Sequence, residues 1–388
     1  MSGLRVALVS RLPPARCGIA EYTSMLAEAL LRNFSDIELV LVGTFVKKGL
    51  RYYVEPYSGL DVCQSFNEEG GYEGIIDCLK NRGIGRGSIV HIQHDYDIFR
   101  NNVEFVNLVR RLKEAGIKVV ITMHTVAHAL KGIEYVRFQR KLSEVADVII
   151  VHSILQEYEL IAQDADASKI VRIPHGTLLS PFINYDRVKL LKSLGIDSSE
   201  ELADSTLITV PGLIRPVKGL EVFLEAFKLI RSKYDVKFLL VGSPQGQGYE
   251  YLRKLAPVFS KLDGAVFMNK FLWRNELLAY LASIDIAVFP YRDIHHYAVS
   301  GIFHLIIGSR KATVCTKIPK LVECYNIAPE LTIPTNTPEE IARKIEFILD
   351  NPEVVRDAVS RLWTYAKETN WDKVAIMHWR FYLRALES

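Results

Sequence analysis

Two cationic side chains occupy a short loop between a predicted strand and a predicted helix, where binding of an anion is favoured. Residues 207–211 (LITVP) are mostly apolar and β-branched, which is typical of a buried strand. From Leu220 to Ile230 the apolar residues recur at helical spacing. Arg215 and Lys218 lie between these elements, beside the N-terminus of the helix, whose backbone N–H groups already favour an anion. The pattern predicts a site for a phosphate or a developing oxyanion; the alternative is a solvated loop whose charges bind nothing.

Two histidines directly follow predicted strands. His94 follows the strand at 88–93 (SIVHIQ), and His124 follows the strand at 118–123 (KVVITM). Ligands of open α/β sheets bind outside the carboxyl ends of the strands, so both side chains are candidates to donate to a sugar hydroxyl or a developing charge. The alternative for each is a histidine that caps a buried carbonyl. Gly18 stands where a loop meets a helix, and it permits close approach of a ligand or is an ordinary turn glycine.

A third candidate site is the start of a buried helix near Ser300. Ser300 is a good N-cap, and Gly301 lets a ligand approach the first backbone N–H groups of the helix. His295 and His296 just upstream do not form a metal site by pattern, because adjacent histidines share no face and no third ligand is near. The sequence therefore predicts no metal.

Composition excludes several classes of protein. The chain has 388 residues, with 48 Lys+Arg against 45 Asp+Glu and a formal net charge of +3, too little for a dedicated nucleic-acid binder. The cysteines lack CxxC spacing, so neither a zinc site nor a disulfide frame is expected, and a reducing, cytoplasmic compartment is the simpler inference. No signal peptide and no apolar run long enough to span a bilayer is seen. These cysteines are Cys17, Cys63, Cys78, Cys315 and Cys324.

Strand and helix patterns alternate along the whole chain, which predicts an α/β fold with parallel, doubly wound sheets. At roughly 150 residues per domain, two domains are expected. We predict an N-terminal domain over residues 1–190, a C-terminal domain over 205–369, and an amphipathic helix over about 370–388.

The segment at 44–57 is basic and aromatic, with Lys47, Lys48 and Arg51 close together. This composition suits peripheral contact with the inner face of a membrane, and it equally suits an ordinary hairpin with lysine tips.

Several motifs in chain order resemble the family-4 retaining glycosyltransferases. They are PPARCGIAEYT, HIQHDYDIF, ITMHTV, VHS, IPHG, PGLIRPVKG, LLVG, VFPYRD and SGIFHL. The resemblance covers nearly the whole chain. It implies a GT-B architecture, in which two Rossmann-like domains face a cleft and the last helix crosses back to the first domain. It also implies a nucleotide-diphosphate sugar as donor, no metal or other cofactor, and a glycan, lipid-linked or small-molecule acceptor.

The resemblance assigns roles to individual residues. Lys218 would neutralise the donor diphosphate, and His124 would contact the transferred sugar. To these the residue patterns themselves add Arg215, sharing the charge of Lys218, and His94, on the acceptor side. Gly18 would let the first domain approach the diphosphate. The remaining donor-binding residues would be Ser300, Gly301 and Ile302, which match the turn facing the phosphates, and Phe271, which falls where the family holds the base.

The chain departs from the family pattern in two respects. Leu213 stands where the family usually has an arginine, and Tyr297 and Leu305 stand where it has a pair of glutamates that grip the sugar and the ribose. With no carboxylate nucleophile apparent, front-face attack with retention is the mechanism that the resemblance implies. A non-catalytic nucleotide or sugar binder, a phosphorylase and an epimerase of nucleotide sugars are the alternatives.

Overall fold

A computed structural model describes residues 3–45, 62–68, 71–196, 198–292 and 295–387. Contacts divide the chain into two compact units. Unit 1 consists of Met1–Gly176, His295–Val299 and Thr369–Ser388, and unit 2 consists of Thr177–Ile294 and Ser300–Glu368. The first segment of unit 1 therefore ends at Gly176, earlier than the predicted boundary at 190, and the unit also takes in a short segment near 297 that the prediction gave to the other domain.

The strands begin and end close to the apolar patterns of the sequence. In chain order they are β1 (Leu4–Ser10), β2 (Ile37–Thr44), β3 (Val62–Phe66), β4 (Ile89–His94), β5 (Lys118–Met123), β6 (Thr125–Ala127), β7 (Val148–Val151), β8 (Ile170–Arg172), β9 (Thr206–Thr209), β10 (Val236–Gly242), β11 (Ala265–Asn269), β12 (Ile286–Phe289), β13 (His296–Ala298), β14 (Ala312–Thr316) and β15 (Thr332–Ile333).

The helices alternate with these strands. They are α1 (Gly18–Asn33), α2 (Glu73–Asn81), α3 (Tyr96–Phe99), α4 (Val103–Glu114), α5 (Ile133–Val145), α6 (Ile154–Ala162), α7 (Arg187–Ser193), α8 (Ser199–Ala203), α9 (Leu220–Arg231), α10 (Gly248–Phe259), α11 (Arg274–Ser283), α12 (Gly301–Ile307), α13 (Val322–Ile327), α14 (Pro338–Asp350), α15 (Pro352–Glu368) and α16 (Trp371–Glu387). Among the described residues, no helix has both the length and the apolar character needed to cross a bilayer.

Each unit is built on a parallel sheet. In unit 1 the strand order is β3-β2-β1-β4-β5-β7-β8, and in unit 2 it is β11-β10-β9-β12-β14-β15. Central strands of such sheets bury both faces, which is why β4 and β12 are buried along their whole length. The predicted α/β, doubly wound class is confirmed in both units.

A two-stranded antiparallel ladder joins β13 to β6 in unit 1, and the sequence gave no indication of it. Tyr297 pairs with Val126 and His296 pairs with Ala127. The α16 helix also belongs to this unit, where Trp379 stacks on Phe34 with ring centroids 4.2 Å apart.

Cys63 and Cys78 form a disulfide between β3 and α2, with their Cα atoms 6.2 Å apart. The prediction of a chain without a disulfide frame is wrong at this pair, because the fold brings together two cysteines whose spacing matches no motif. A reducing compartment therefore no longer follows from the cysteines. Residues 46–57, which include the basic cluster proposed for membrane contact, lie outside the described residues.

Candidate functional site

The loop between β9 and α9 is held in place by its neighbours in unit 2. Ile214 forms a bridge with Pro244 in the loop after β10, and its N–H donates to the Ser243 carbonyl at 3.0 Å. Gly219, the residue before α9, has φ +65°, and an added Cβ there would overlap the carbonyl oxygen of Pro290, directly after β12. Three loops at the carboxyl ends of parallel strands are thus packed together, at the edge of the sheet where ligands of open α/β folds bind.

Replacing Gly219 by alanine is expected to destabilise unit 2. The left-handed backbone alone costs about 1–3 kcal/mol for a residue with a side chain, and the collision with Pro290 adds to that cost. The free energy of unfolding, measured by urea denaturation, is therefore expected to fall by more than the cost of the left-handed backbone alone. Gly246→Ala is the matched control, because Gly246 has φ +54° with no atom within 4 Å of an added Cβ. Equal losses in the two variants would contradict the close packing inferred at Gly219.

Lys218 lies at the end of this loop and is half-buried. Its ammonium donates to the hydroxyl of Tyr291, which follows β12, and lies 4.0 Å from the centroid of that ring. Within the described residues no carboxylate forms an ion pair with Lys218. Burial, and then the positive charges of Lys320 and Arg215, lower the pKa of the Lys218 ammonium well below its usual value. A site of this kind favours an anion that restores full charge on the lysine.

Arg215 points along the same edge of the sheet. Its guanidinium donates to the side-chain oxygen of Gln245, in the glycine-rich loop after β10. The backbone N–H of Lys218 donates to the Arg215 carbonyl at 3.0 Å, so the two cationic residues stand on one tight turn. The sequence predicted this pair.

Ser300 and Ile302 approach the loop from the start of α12. Ser300 is 2 % exposed, and its side chain makes no capping bond to the helix. It hydrogen-bonds instead with Tyr291. A Cβ built on Gly212 would lie 3.8 Å from Ile302 Cγ1 and 3.7 Å from Lys218 Nζ. The structure therefore brings Lys218, Tyr291, Ser300 and Ile302 together around Gly212. Tyr291 was missed, and its place directly after a buried strand was the available signal.

Phe271 follows β11, the edge strand two positions from β9 in the sheet. Its ring packs edge-on against Trp273 at 4.9 Å between centroids. Gly301 is the first residue of α12. Contact of Phe271 with a base, and of the Gly301 N–H with phosphate, stay predictions.

In unit 1, His124 lies between β5 and β6, and its imidazole is engaged on both sides. Its Nε2 is 2.9 Å from the side-chain amide of Gln93, and its Nδ1 is 3.4 Å from Nε2 of His152. The ring of Tyr22 packs edge-on against it, with centroids 4.6 Å apart. Burial, and then the charge of His152, lower the pKa of His124 well below its usual value, so the ring is neutral near pH 7.

Hydrogen-bond partners define the tautomers in this network. Gln93 Oε1, 2.9 Å from His124 Nε2, can only accept, so His124 Nε2–H donates to it, and the Gln93 NH₂ group lies 3.0 Å from His91 Nε2. His152 Nδ1 donates to the Ile173 carbonyl at 2.9 Å, and its Nε2 lies 3.4 Å from His124 Nδ1. A sugar hydroxyl can therefore hydrogen-bond to His124 only by replacing Gln93 or His152. The predicted role of His124 stays a prediction that requires this exchange.

His94 has no exposed surface and is enclosed by aromatic rings of unit 1. The rings of Tyr96, Phe99, Phe105 and Phe138 lie with centroids 5.1 to 6.1 Å from the imidazole. Burial lowers the pKa of His94 to about 4. The structure thus gives this side chain a packing role, and its contact with an acceptor stays untested.

The remaining predicted positions have simple surroundings. A Cβ added to Gly18, the first residue of α1, would meet no atom within 4 Å, so the fold itself does not require a glycine there. Tyr297 lies in the β13–β6 ladder, and Leu305 packs against the core of unit 2. Neither position supplies a carboxylate.

Comparison with known proteins finds a family match in unit 2. Residues 204–351 match the family described as Glycosyl transferases group 1. Over 150 residues the chain is 29% identical to D-inositol 3-phosphate glycosyltransferase of Segniliparus rotundus, a stretch covering 34% of this chain and 31% of that protein. The chain thus spans about a third of the length of this curated relative.

Solved structures resemble the chain over its full length. A glycosyltransferase from Rickettsia africae has a TM-score of 0.76 at 14% identity, covering 100% of both chains. Sucrose-phosphate synthase from Thermosynechococcus elongatus has a TM-score of 0.76 at 17% identity, covering 98% of both chains. Anabaena HepE in complex with UDP has a TM-score of 0.73 at 12% identity, covering 97% of this chain and 99% of that one. At these identities the likeness shows the fold alone, and the predicted GT-B fold is confirmed.

Proposed function

We propose, from the match of residues 204–351 to the family described as Glycosyl transferases group 1, that this protein is a glycosyltransferase that moves a sugar from a nucleotide-diphosphate sugar to an acceptor hydroxyl. The observation that carries the proposal is Lys218, a cation without a carboxylate partner among the described residues, held by Tyr291 in a loop of that segment. Solved neighbours with UDP and with ADP bound support a nucleotide as ligand.

The proposed chemistry follows from the charges in unit 2. When the bond between the anomeric carbon and the diphosphate oxygen breaks, negative charge develops on the leaving diphosphate. A preorganised donor to such an oxyanion is worth on the order of 10²–10³ in rate. Lys218 and Arg215 supply positive charge there, so the proposal requires no metal ion.

Retention of configuration is the proposed stereochemical outcome. Tyr297 and Leu305 provide no carboxylate where the resembling family has its glutamates, and no nucleophile is assigned. Attack of the acceptor hydroxyl on the face that the diphosphate leaves needs no covalent intermediate. A saccharide or a lipid-linked acceptor fits this chemistry. We also propose that the protein is soluble and contacts a membrane only peripherally.

The test is calorimetric binding of UDP, GDP, ADP and their common sugar conjugates to the full chain. We expect one nucleotide to bind with micromolar affinity and its sugar conjugate to be consumed when an acceptor is present. The anomeric configuration of the product, read by NMR, tests retention. Failure of all three nucleotides to bind at millimolar concentration would contradict the proposal.

The absence of glutamates at 297 and 305 favours a second candidate, a non-catalytic binder of nucleotide or sugar. The same experiment separates the two, because such a binder holds the nucleotide but transfers and hydrolyses nothing. A phosphorylase is recognised by sugar release that depends on inorganic phosphate.

A further inference from the structure

A cavity of about 470 Å³ in unit 2 is lined by three cations: Arg310, Lys311 and Arg356. Arg310 and Lys311 directly precede β14, whereas Tyr291 follows β12, which pairs with β14 in parallel. The cavity therefore lies at the amino-terminal edge of the sheet, and the loop of Lys218 lies at the carboxyl-terminal edge. The two sites are separate.

Little negative charge in unit 2 compensates these cations. No hydrogen bond or ion pair in the described part of the chain reaches the Lys311 ammonium, and burial lowers its pKa. The carboxylate that acts on it, Asp285, is already bound by Arg187 and by the N–H of Leu207. A half-buried cation without a close anion is costly unless a ligand supplies one.

Arg310 faces the ring of Trp363, with the guanidinium carbon 5.5 Å from the ring centroid. Arg356 pairs with Glu353 at 2.8 Å, where both side chains are largely exposed. An exposed pair of this kind contributes little, and an incoming dianion can compete for the arginine. At least two of the three cations are therefore available to a ligand.

The end of α12 determines the backbone conformation of Arg310. Arg310 has φ +56°, just after the end of α12, in the left-handed region that glycine adopts without strain. A side chain here is strained, and its guanidinium lines the cavity. The Arg310 N–H donates to the Ile307 carbonyl at 3.2 Å and the Lys311 N–H to the Ile306 carbonyl at 3.5 Å, so the end of α12 fixes the backbone that presents Arg310 at the cavity.

We propose that this cavity binds a phosphate monoester of about the size of a sugar phosphate, as a second site distinct from the donor site. Arg310 and Arg356 form charge-assisted hydrogen bonds to the phosphate, and the exposed hydroxyl of Ser360 is a further donor. Ile183 and Val359 give the apolar faces against which a sugar ring packs. The volume lies within the range of small-molecule sites.

The experiment titrates glucose 6-phosphate, glucose and inorganic phosphate into the full chain and into Arg310→Gly. We expect glucose 6-phosphate to bind, glucose not to bind, and the affinity for glucose 6-phosphate to fall at least tenfold in Arg310→Gly. The Tm of that variant is expected to rise, because glycine removes the strain, so lost binding would not reflect unfolding.

Two controls separate this site from other anion binding. Lys254→Gln removes one exposed charge of unit 2 outside the cavity, and Lys218→Ala removes the cation of the donor loop. Both are expected to keep the affinity for glucose 6-phosphate, and an equal loss in either would overturn the proposal. Vesicles containing phosphatidic acid test a lipid headgroup as the source of the monoester. The site is supported if the native chain binds these vesicles and Arg310→Gly does not. The proposal is overturned if the native chain binds neither glucose 6-phosphate nor the vesicles.

Discussion

Replacing Lys218 by alanine is expected to weaken nucleoside diphosphate binding, or turnover of the sugar conjugate, by about 10- to 150-fold. A hydrogen bond to a charged group contributes about 1.5–3 kcal/mol, and each 1.4 kcal/mol corresponds to about tenfold in affinity. The ammonium is half-buried with Tyr291 and without a carboxylate among the described residues, so a bound diphosphate would be its main counter-charge. Calorimetry and initial rates measure the two effects.

The matched control for this prediction is Lys228→Ala. Lys228 lies on α9, is paired with Glu225 at 2.7 Å, and is exposed, so the variant changes the net charge equally without touching the loop.

Because the lowered pKa of Lys218 rises when a diphosphate binds, binding to the native chain is also expected to take up protons. Unchanged affinity and turnover in Lys218→Ala would remove this residue from the site.

Lowering the pH from 7 towards 4 is expected to destabilise unit 1 strongly. Burial lowers the pKa values of His94 and His378 to about 4 and those of His91 and His124 well below 6.5. The unfolded chain therefore takes up these protons first. The stability that comes from keeping these histidines neutral is fully present above pH 6.5 and is lost as the pH falls from 6.5 towards 4. The free energy of unfolding decreases over this range by roughly 3 kcal/mol for each histidine with a pKa near 4. Urea denaturation at pH 7, 6 and 5 measures the loss.

His94→Phe tests the origin of this acid sensitivity. The imidazole is enclosed by Tyr96, Phe99, Phe105 and Phe138, so a phenyl ring suits the same surroundings and carries no proton. We expect the variant to retain more stability than the native chain at pH 5 and to differ less from it at pH 7. An identical dependence of stability on pH in both proteins would contradict the assignment.

Local patterns were sufficient to predict the main elements of the fold. The strand, loop and helix between Leu207 and Ile230 are present, although β9 ends at Thr209, because Pro211 and Gly212 interrupt the pattern before the loop. The cations Arg215 and Lys218 were found because they stand at fixed spacing before a recognisable helix.

Features that depend on distant residues were not predictable. Tyr291 meets Lys218 across 73 residues, and the disulfide joins Cys63 to Cys78 across 15 without a recognisable motif. The partners of His124 come from β4 and from the residue after β7, so only the assembled sheet shows that both ring nitrogens are occupied. Such contacts depend on tertiary packing, about which local periodicity carries no information.

Unit 1 is assembled from three separated lengths of chain, and this affects its formation during synthesis. The ring of Trp371 lies against Gly176, and the hydroxyl of Tyr382 reaches His91 at 2.6 Å, so both partners come from the last length. At 5–20 residues per second, a ribosome needs on the order of 10–40 s to pass from Gly176 to Trp371. During that interval the nascent first unit exposes apolar surface, and every residue of unit 2 is translated before α16. Chaperone capture of the growing polypeptide is therefore expected to be strongest before α16 has been translated.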